Sequence, residues 1–134
     1  MSKPVSAISH LTLGTNDVQR SIRFYDPVLG SLGFSRMPKP DDKPPMYSKD
    51  GEMPYVYLYP PFNGEPATVG NGTHIAFTAH SRSAVNEFHS MAMAFGGQNE
   101  GPPGLRAHYG ENYYAAYVRD PDGNKLQAVC YGAA

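Results

Sequence analysis

The sequence predicts a single α+β domain in which one motif occurs twice: a strand that bears a histidine, a helix, and about three further strands. Two observations support this prediction. The chain repeats its own pattern at an offset of 64 residues, which is the separation of His10 and His74. Its length of 134 residues is that of one domain and allows one substantial core.

The repeat begins at the two histidine-bearing segments. Residues 9–13 align with residues 73–77, and in both segments the histidine alternates with aliphatic or aromatic neighbours, as in a strand with one buried face. Further aligned pairs are Asp17 with Ser81, Phe24 with Phe88, and Gly33 with Gly97. We therefore place the first module at about residues 5–62 and the second at about residues 70–132.

Each module predicts one amphipathic helix. Asn16 or Asp17 caps the first helix, and Ser81 caps the second. The faces expected to be buried are Val18, Ile22, Tyr25 and Leu29 in the first helix, and Val85, Phe88, Ala92 and Phe95 in the second. Pro27 lacks the amide proton that a helix interior needs, so we expect a kink there or a second helical turn that begins at Asp26.

A hairpin follows each helix. The paired strands are residues 46–48 with 55–59 in the first module, and residues 113–119 with 125–131 in the second. Their turns contain Asp-Gly, at residues 50–51 and 122–123. Prolines cluster in residues 37–45, 60–66 and 102–103. We expect these three segments to be loops, because proline cannot donate the hydrogen bond that a central strand requires.

The composition argues against several functions. With 11 Lys and Arg against 12 Asp and Glu, the net charge of −1 gives no attraction for phosphate backbones or anionic lipid. We therefore expect neither nucleic acid nor a membrane as a partner. Cys130 is the single cysteine, so it forms no internal disulfide, and its apolar surroundings predict an inert core residue. The sequence shows no signal peptide or membrane span, so we expect a cytoplasmic location.

Four segments together resemble the vicinal-oxygen-chelate superfamily, which includes glyoxalase I, bleomycin-resistance proteins, fosfomycin-resistance proteins and extradiol dioxygenases. These segments are His10-Leu11-Thr12-Leu13, residues 17–25, Val28-Leu29-Gly30, and residues 120–127, which begin with Asp-Pro-Asp-Gly-Asn. The resemblance implies two tandem βαβββ modules whose curved mixed sheets enclose one cavity, with the helices packed outside. It also implies a homodimer.

The resemblance further implies metal ligands on the first and fourth strands of each module. His10 and His74 match the first-strand positions, and Gln127 falls where relatives usually have a glutamate. The other fourth-strand position lies within residues 55–59, which contain no carboxylate, histidine or amide. Strand alternation by itself places the two histidines opposite the aliphatic side chains, either in a cavity or in a core where hydrogen bonds satisfy them.

Five more residues are candidates for contacts with a substrate: Tyr55, Tyr57, Arg106, His108 and Tyr117. Tyrosines on one strand face suit a flat or apolar molecule, and an arginine suits an anion. Each residue also has a simpler interpretation. Tyrosine favours strands without any ligand, and a loop histidine or an arginine is commonly a surface residue.

Two functions follow from the resemblance. The first is a metal-assisted, isomerase- or lyase-type enzyme that transforms a small oxygenated molecule at a His10, His74 and Gln127 site. Its divalent ion would be zinc, nickel, cobalt or iron, bound weakly or not at all, because the site has no carboxylate. Gln127 cannot accept a proton, so we assign no catalytic residue. The alternative is a metal-free small-molecule binding protein of the bleomycin-resistance type. We favour the first, because simple sequestration gives two matched histidines no role.

Overall fold

The computed structural model describes residues 5–134 and contains two four-stranded sheets and two helices. The first module comprises β1 (His10–Gly14), α1 (Val18–Gly30), β2 (Ser35–Arg36), β3 (Met46–Lys49) and β4 (Glu52–Tyr59). The second comprises β5 (His74–Thr78), α2 (Arg82–Ala94), β6 (Gln98–Leu105), β7 (Tyr114–Arg119) and β8 (Lys125–Cys130). The predicted α+β fold with two βαβββ modules is confirmed.

The two sheets have the same topology. Their strand orders are β1-β4-β3-β2 and β5-β8-β7-β6, and in each the first strand lies parallel to the last while the other pairs are antiparallel. The sheets remain open and do not close into a barrel. No helix within residues 5–134 is long and apolar enough to cross a lipid bilayer.

The helix caps agree with the sequence. Asp17 caps α1 by accepting a hydrogen bond from the Arg20 amide, and Ser81 caps α2 by accepting one from the Ala84 amide. At Pro27 the sequence predicted a kink or a second helical turn, and the second helical turn is not found. The proline lies inside one helix that continues to Gly30.

The helices bury residues that differ in part from the predicted faces. The buried set is Ser21, Phe24, Tyr25, Val28 and Leu29 in α1, and Ala84, Val85, Phe88 and Ala92 in α2. Val18 and Ile22 are only half-buried, because the two helices also pack against each other and this turns the buried stripe. Phe95 is 48% exposed, since it follows the last turn of α2. The prediction that Phe95 is buried is therefore wrong.

The prediction of a loop at residues 102–103 is also wrong. Both prolines lie in β6, which is the edge strand of the second sheet, and not in a loop. The pairing of β6 with β7 is irregular on both sides of Gly101. An edge strand tolerates proline because one of its sides forms no ladder of hydrogen bonds.

The turn between β7 and β8 joins the two modules. Asp122 accepts hydrogen bonds from the Asn16 amide, from Nη2 of Arg20 and from the Ser21 hydroxyl, at 2.9, 2.7 and 3.2 Å. All three donors lie at or beside the start of α1, in the other module. The side chain of Asp122 is only 2% exposed, so the ion pair with Arg20 is largely shielded on the carboxylate side.

Asp120 makes a second, more deeply buried connection in the same turn. Its carboxylate accepts a hydrogen bond from the Tyr25 hydroxyl of α1 at 2.5 Å, and others from Asn124. Burial raises the pKa of the Asp120 carboxyl, and the hydrogen bonds from Tyr25 and Asn124 offset part of this increase. Asn124 also donates to the Gly14 carbonyl at the end of β1. The Asp-Pro-Asp-Gly-Asn segment is thus both a hairpin turn and the link between the modules.

Candidate functional site

Each sheet has one face packed on its helix and one open face. In β1, Leu13 is buried against the helices, while His10 and Thr12 are exposed on the opposite face. The strand registers show which positions of the two modules are equivalent. Thr12 pairs with Tyr57 in the first sheet, and Ala76, which is equivalent to Thr12, pairs with Gln127 in the second. Tyr57 therefore occupies the position in its module that Gln127 occupies in the other.

A cavity of about 680 Å³ lies on the open face of the first sheet. Its lining consists of His10, Thr12, Gly14, Tyr57 and Tyr59 from the strands, with Pro60, Pro61, Phe62, Asn63, Pro66, Ala67 and Thr68 from the linker that follows β4. The linker begins where β4 ends, so its prolines form one wall of the cavity. The predicted loop at residues 60–66 thus has a second role, which sequence analysis did not identify.

Tyr57 is at the centre of this face. Its ring meets the His10 ring edge-on with centroids 5.4 Å apart, and the Tyr59 ring at 5.7 Å. Lys39 Nζ lies 5.1 Å from the centroid of the same ring. Sequence analysis missed Lys39, because it lies in a proline-rich loop that carries no periodic signal.

His74 and Gln127 are in contact on the open face of the second sheet. His74 Nε2 and Gln127 Oε1 are 3.2 Å apart, and since an amide oxygen can only accept, the imidazole is the donor. The Gln127 amide nitrogen donates to the Tyr113 hydroxyl at 2.6 Å. Gln127 is 2% exposed. Both polar atoms of its side chain are thus already engaged within the chain.

Three adjoining cavities connect the two histidines, and we call them together the inter-module groove. The His10 cavity shares Thr12, Gly14 and Thr68 with a cavity of about 240 Å³, which His74 also lines. That cavity in turn shares His74 and Lys125 with a third, of about 530 Å³. His10 and His74 therefore line different parts of one groove.

The other predicted contact residues line none of these three cavities. Tyr117 stands on the open face of β7, with the His74 ring centroid 6.1 Å from its own and Arg106 Cζ 5.6 Å away. Burial is the largest cause that raises the pKa of the Tyr117 phenol, while Arg106 lowers it. Tyr55 pairs with His10 on the open face, although it does not line the His10 cavity. His108 lies in the loop after β6, stacked on Tyr109 with ring centroids 4.1 Å apart.

The four positions matched to metal ligands do not fit a divalent ion within one chain. They hold two imidazoles, one phenol and one amide, so no carboxylate balances the charge of an ion. The Gln127 amide is committed to His74 and Tyr113. Within residues 5–134, no group of three or more His, Cys, Asp or Glu side chains is placed to hold a metal ion. The predicted set of His10, His74 and Gln127 stays a prediction, and His10 lies apart from the other two.

Comparison with known proteins agrees with this architecture. The sequence model of the Glyoxalase/Bleomycin resistance protein/Dioxygenase superfamily matches residues 7–128. The chain therefore belongs to this superfamily. No curated protein matches the sequence.

Solved structures show the same relationship. A glyoxalase/bleomycin resistance protein from Albidiferax ferrireducens is 38% identical, with a TM-score of 0.81, over 93% of this chain and 98% of its own. A lactoylglutathione lyase from Agrobacterium tumefaciens is 24% identical, with a TM-score of 0.65, over 95% of each chain. A fosfomycin resistance protein from Listeria monocytogenes is 18% identical, with a TM-score of 0.68, over 95% of this chain and 94% of its own. The last two share the fold with this chain.

Proposed function

We propose that this protein binds a small planar molecule in the inter-module groove and needs no metal ion to do so. The observation that supports this proposal is the His10 cavity with its tyrosine and proline lining. Its volume of about 680 Å³ lies within the range of small-molecule sites. The rings of Tyr57 and Tyr59 offer flat apolar contact area, and the linker shields one side of it.

Two polar groups in the same cavity can orient a ligand. His10 Nδ1 contacts the Ser9 hydroxyl at 2.9 Å, which leaves Nε2 without a hydrogen bond among the described residues. Thr12 lines the same cavity, and its hydroxyl forms no side-chain hydrogen bond within residues 5–134. A cavity with apolar walls and a few unpaired polar groups is the usual form of a site that binds small organic molecules.

Naphthamide, an uncharged planar compound, tests this proposal. In calorimetric titrations containing EDTA, we expect one molecule to bind per chain with a dissociation constant on the order of 0.1 mM. Addition of excess nickel or zinc in place of the chelator is expected to leave this value unchanged. Absence of binding, or binding only with added metal, would contradict the proposal.

A second candidate function is metal-assisted chemistry of the isomerase or lyase type. The closeness of His74 and Gln127 favours it, because two potential ligands lie side by side, although an ion would have to replace the hydrogen bond between them. His10 of the same chain lines a different part of the groove, and a second copy of the chain would offer another His10. The expected homodimer is thus a second source of this ligand.

Elemental analysis separates the second candidate from the first. The second candidate predicts substoichiometric zinc, nickel, cobalt or iron in protein purified without an affinity tag, and loss of that metal in His10→Ala. It also predicts that Gln127→Glu, which restores a charged ligand, increases the rise in melting temperature that added metal produces. Equal metal content in the parent and in His10→Ala would remove this candidate.

A further inference from the structure

The open face of the second sheet gathers two cations around one tyrosine. Lys125 Nζ lies 5.4 Å from the centroid of the Tyr117 ring, and Arg106 Cζ lies 5.6 Å from it. The His74 ring is 6.1 Å from the same ring, centroid to centroid. A tyrosine ring attracts each cation, but it does not neutralise the charge of either.

These two cations have little opposing charge nearby. Within the described residues, neither Lys125 nor Arg106 forms an ion pair with a carboxylate. Arg106 donates instead to the carbonyl oxygens of residues 102 and 104. Glu100, whose pKa Lys125 helps to lower, is already paired with Arg119 at 2.9 Å, and that arginine is the chief cause of the lowered pKa. An unpaired positive charge therefore remains on this face.

The groove that Lys125 lines is also free of negative charge. Among the residues that line its three cavities there is no aspartate and no glutamate. Lys39, which lines a cavity beside α1, lies over the Tyr57 ring, so the aromatic part of the site also has a cation beside it. A concave surface of one sign of charge favours ligands of the opposite sign.

We infer that the ligand of the groove is a planar organic anion, whose carboxylate or similar oxyanion group lies beside Lys125. This inference rests on the proposed binding function and specifies its ligand class. An oxyanion there meets the unpaired charge of Lys125 in a groove whose lining holds no carboxylate. A cationic ligand of the same shape is disfavoured for the same reason.

Naphthoate and naphthamide form a matched pair for the test, because they share a ring system and differ in charge. In calorimetric titrations at low salt with EDTA present, we expect naphthoate to bind at least about five-fold more tightly than naphthamide. One close charge pair in a solvated site contributes a difference in binding free energy of this size. Raising the salt concentration is expected to weaken binding of naphthoate and to leave that of naphthamide unchanged.

Lys125→Met removes the charge and keeps the length of the side chain, so we expect it to abolish the preference for naphthoate. Lys49→Met is the control, because Lys49 is an exposed lysine at the end of β3 that lines none of the three cavities of the groove. Equal affinity for the two probes would overturn the inference and leave the proposed function standing. A preference for naphthoate that persists in Lys125→Met would also overturn it. Binding of neither probe would overturn the proposed function itself.

Discussion

Replacing Asp122 with alanine is expected to lower the free energy of unfolding by about 3 kcal/mol and the melting temperature by roughly 10 °C. The substitution removes the acceptor of three hydrogen bonds, which come from Asn16, Arg20 and Ser21 of the other module. The buried Ser21 hydroxyl keeps its hydrogen bond with Thr15. The Arg20 side chain is 42% exposed, so water replaces part of the interaction that it loses with Asp122. Urea unfolding followed by circular dichroism measures the change.

Asp42→Ala is the matched control for this substitution. Asp42 is an exposed aspartate in the proline-rich loop before β3, and we expect its replacement to change the free energy of unfolding by less than about 0.5 kcal/mol. A loss below about 1 kcal/mol in Asp122→Ala would show that the turn does not hold the modules together. In that case the packing of α1 on α2 would be sufficient.

Replacing Tyr57 with alanine is expected to weaken binding of naphthamide roughly tenfold, without a comparable loss of stability. The Tyr57 ring forms the floor of the His10 cavity and orders the rings of His10 and Tyr59 through edge contacts. Removing it takes away the largest flat surface that a planar ligand can contact. Calorimetric titration of the variant gives the affinity, and its melting temperature reports whether the fold is intact.

Tyr55→Ala provides a close comparison for Tyr57→Ala. Tyr55 is two residues away on the same strand and the same open face, yet it does not line the His10 cavity. Its replacement is expected to change the affinity for naphthamide by less than about two-fold. If both variants bind as tightly as the parent, the ligand does not contact this part of the groove, and the site must be sought elsewhere.

Much of the fold could be predicted because its signals are local. The caps of both helices, the two histidine-bearing strands and the hairpin turns each depend on a few neighbouring residues. The errors occurred where distant parts of the chain decide the outcome. Phe95 is exposed because α2 has ended before it, and the prolines at residues 102–103 lie in an edge strand because Gly101 and Gly104 on either side of them pair with β7.

The candidate site shows the same division. Alternation and the repeat placed His10 and His74 opposite the aliphatic side chains, and both histidines are exposed in the structure. Their positions along the groove depend on how the modules pack, through α1 on α2 and through Asp120 and Asp122, and no local pattern encodes that packing. The roles of Lys39 and of the linker prolines could not be predicted either, because loops have no periodicity.

The sequence by itself determined the duplicated modules, their helices and strands, and which side chains face away from the core. These follow from periodicity, capping and turn chemistry, which act over a few residues. Only the tertiary structure decided that one module's turn is bound by the other module's helix, and that two cations share the Tyr117 ring. Those features depend on contacts between residues as much as 106 positions apart, which only the packed chain brings together.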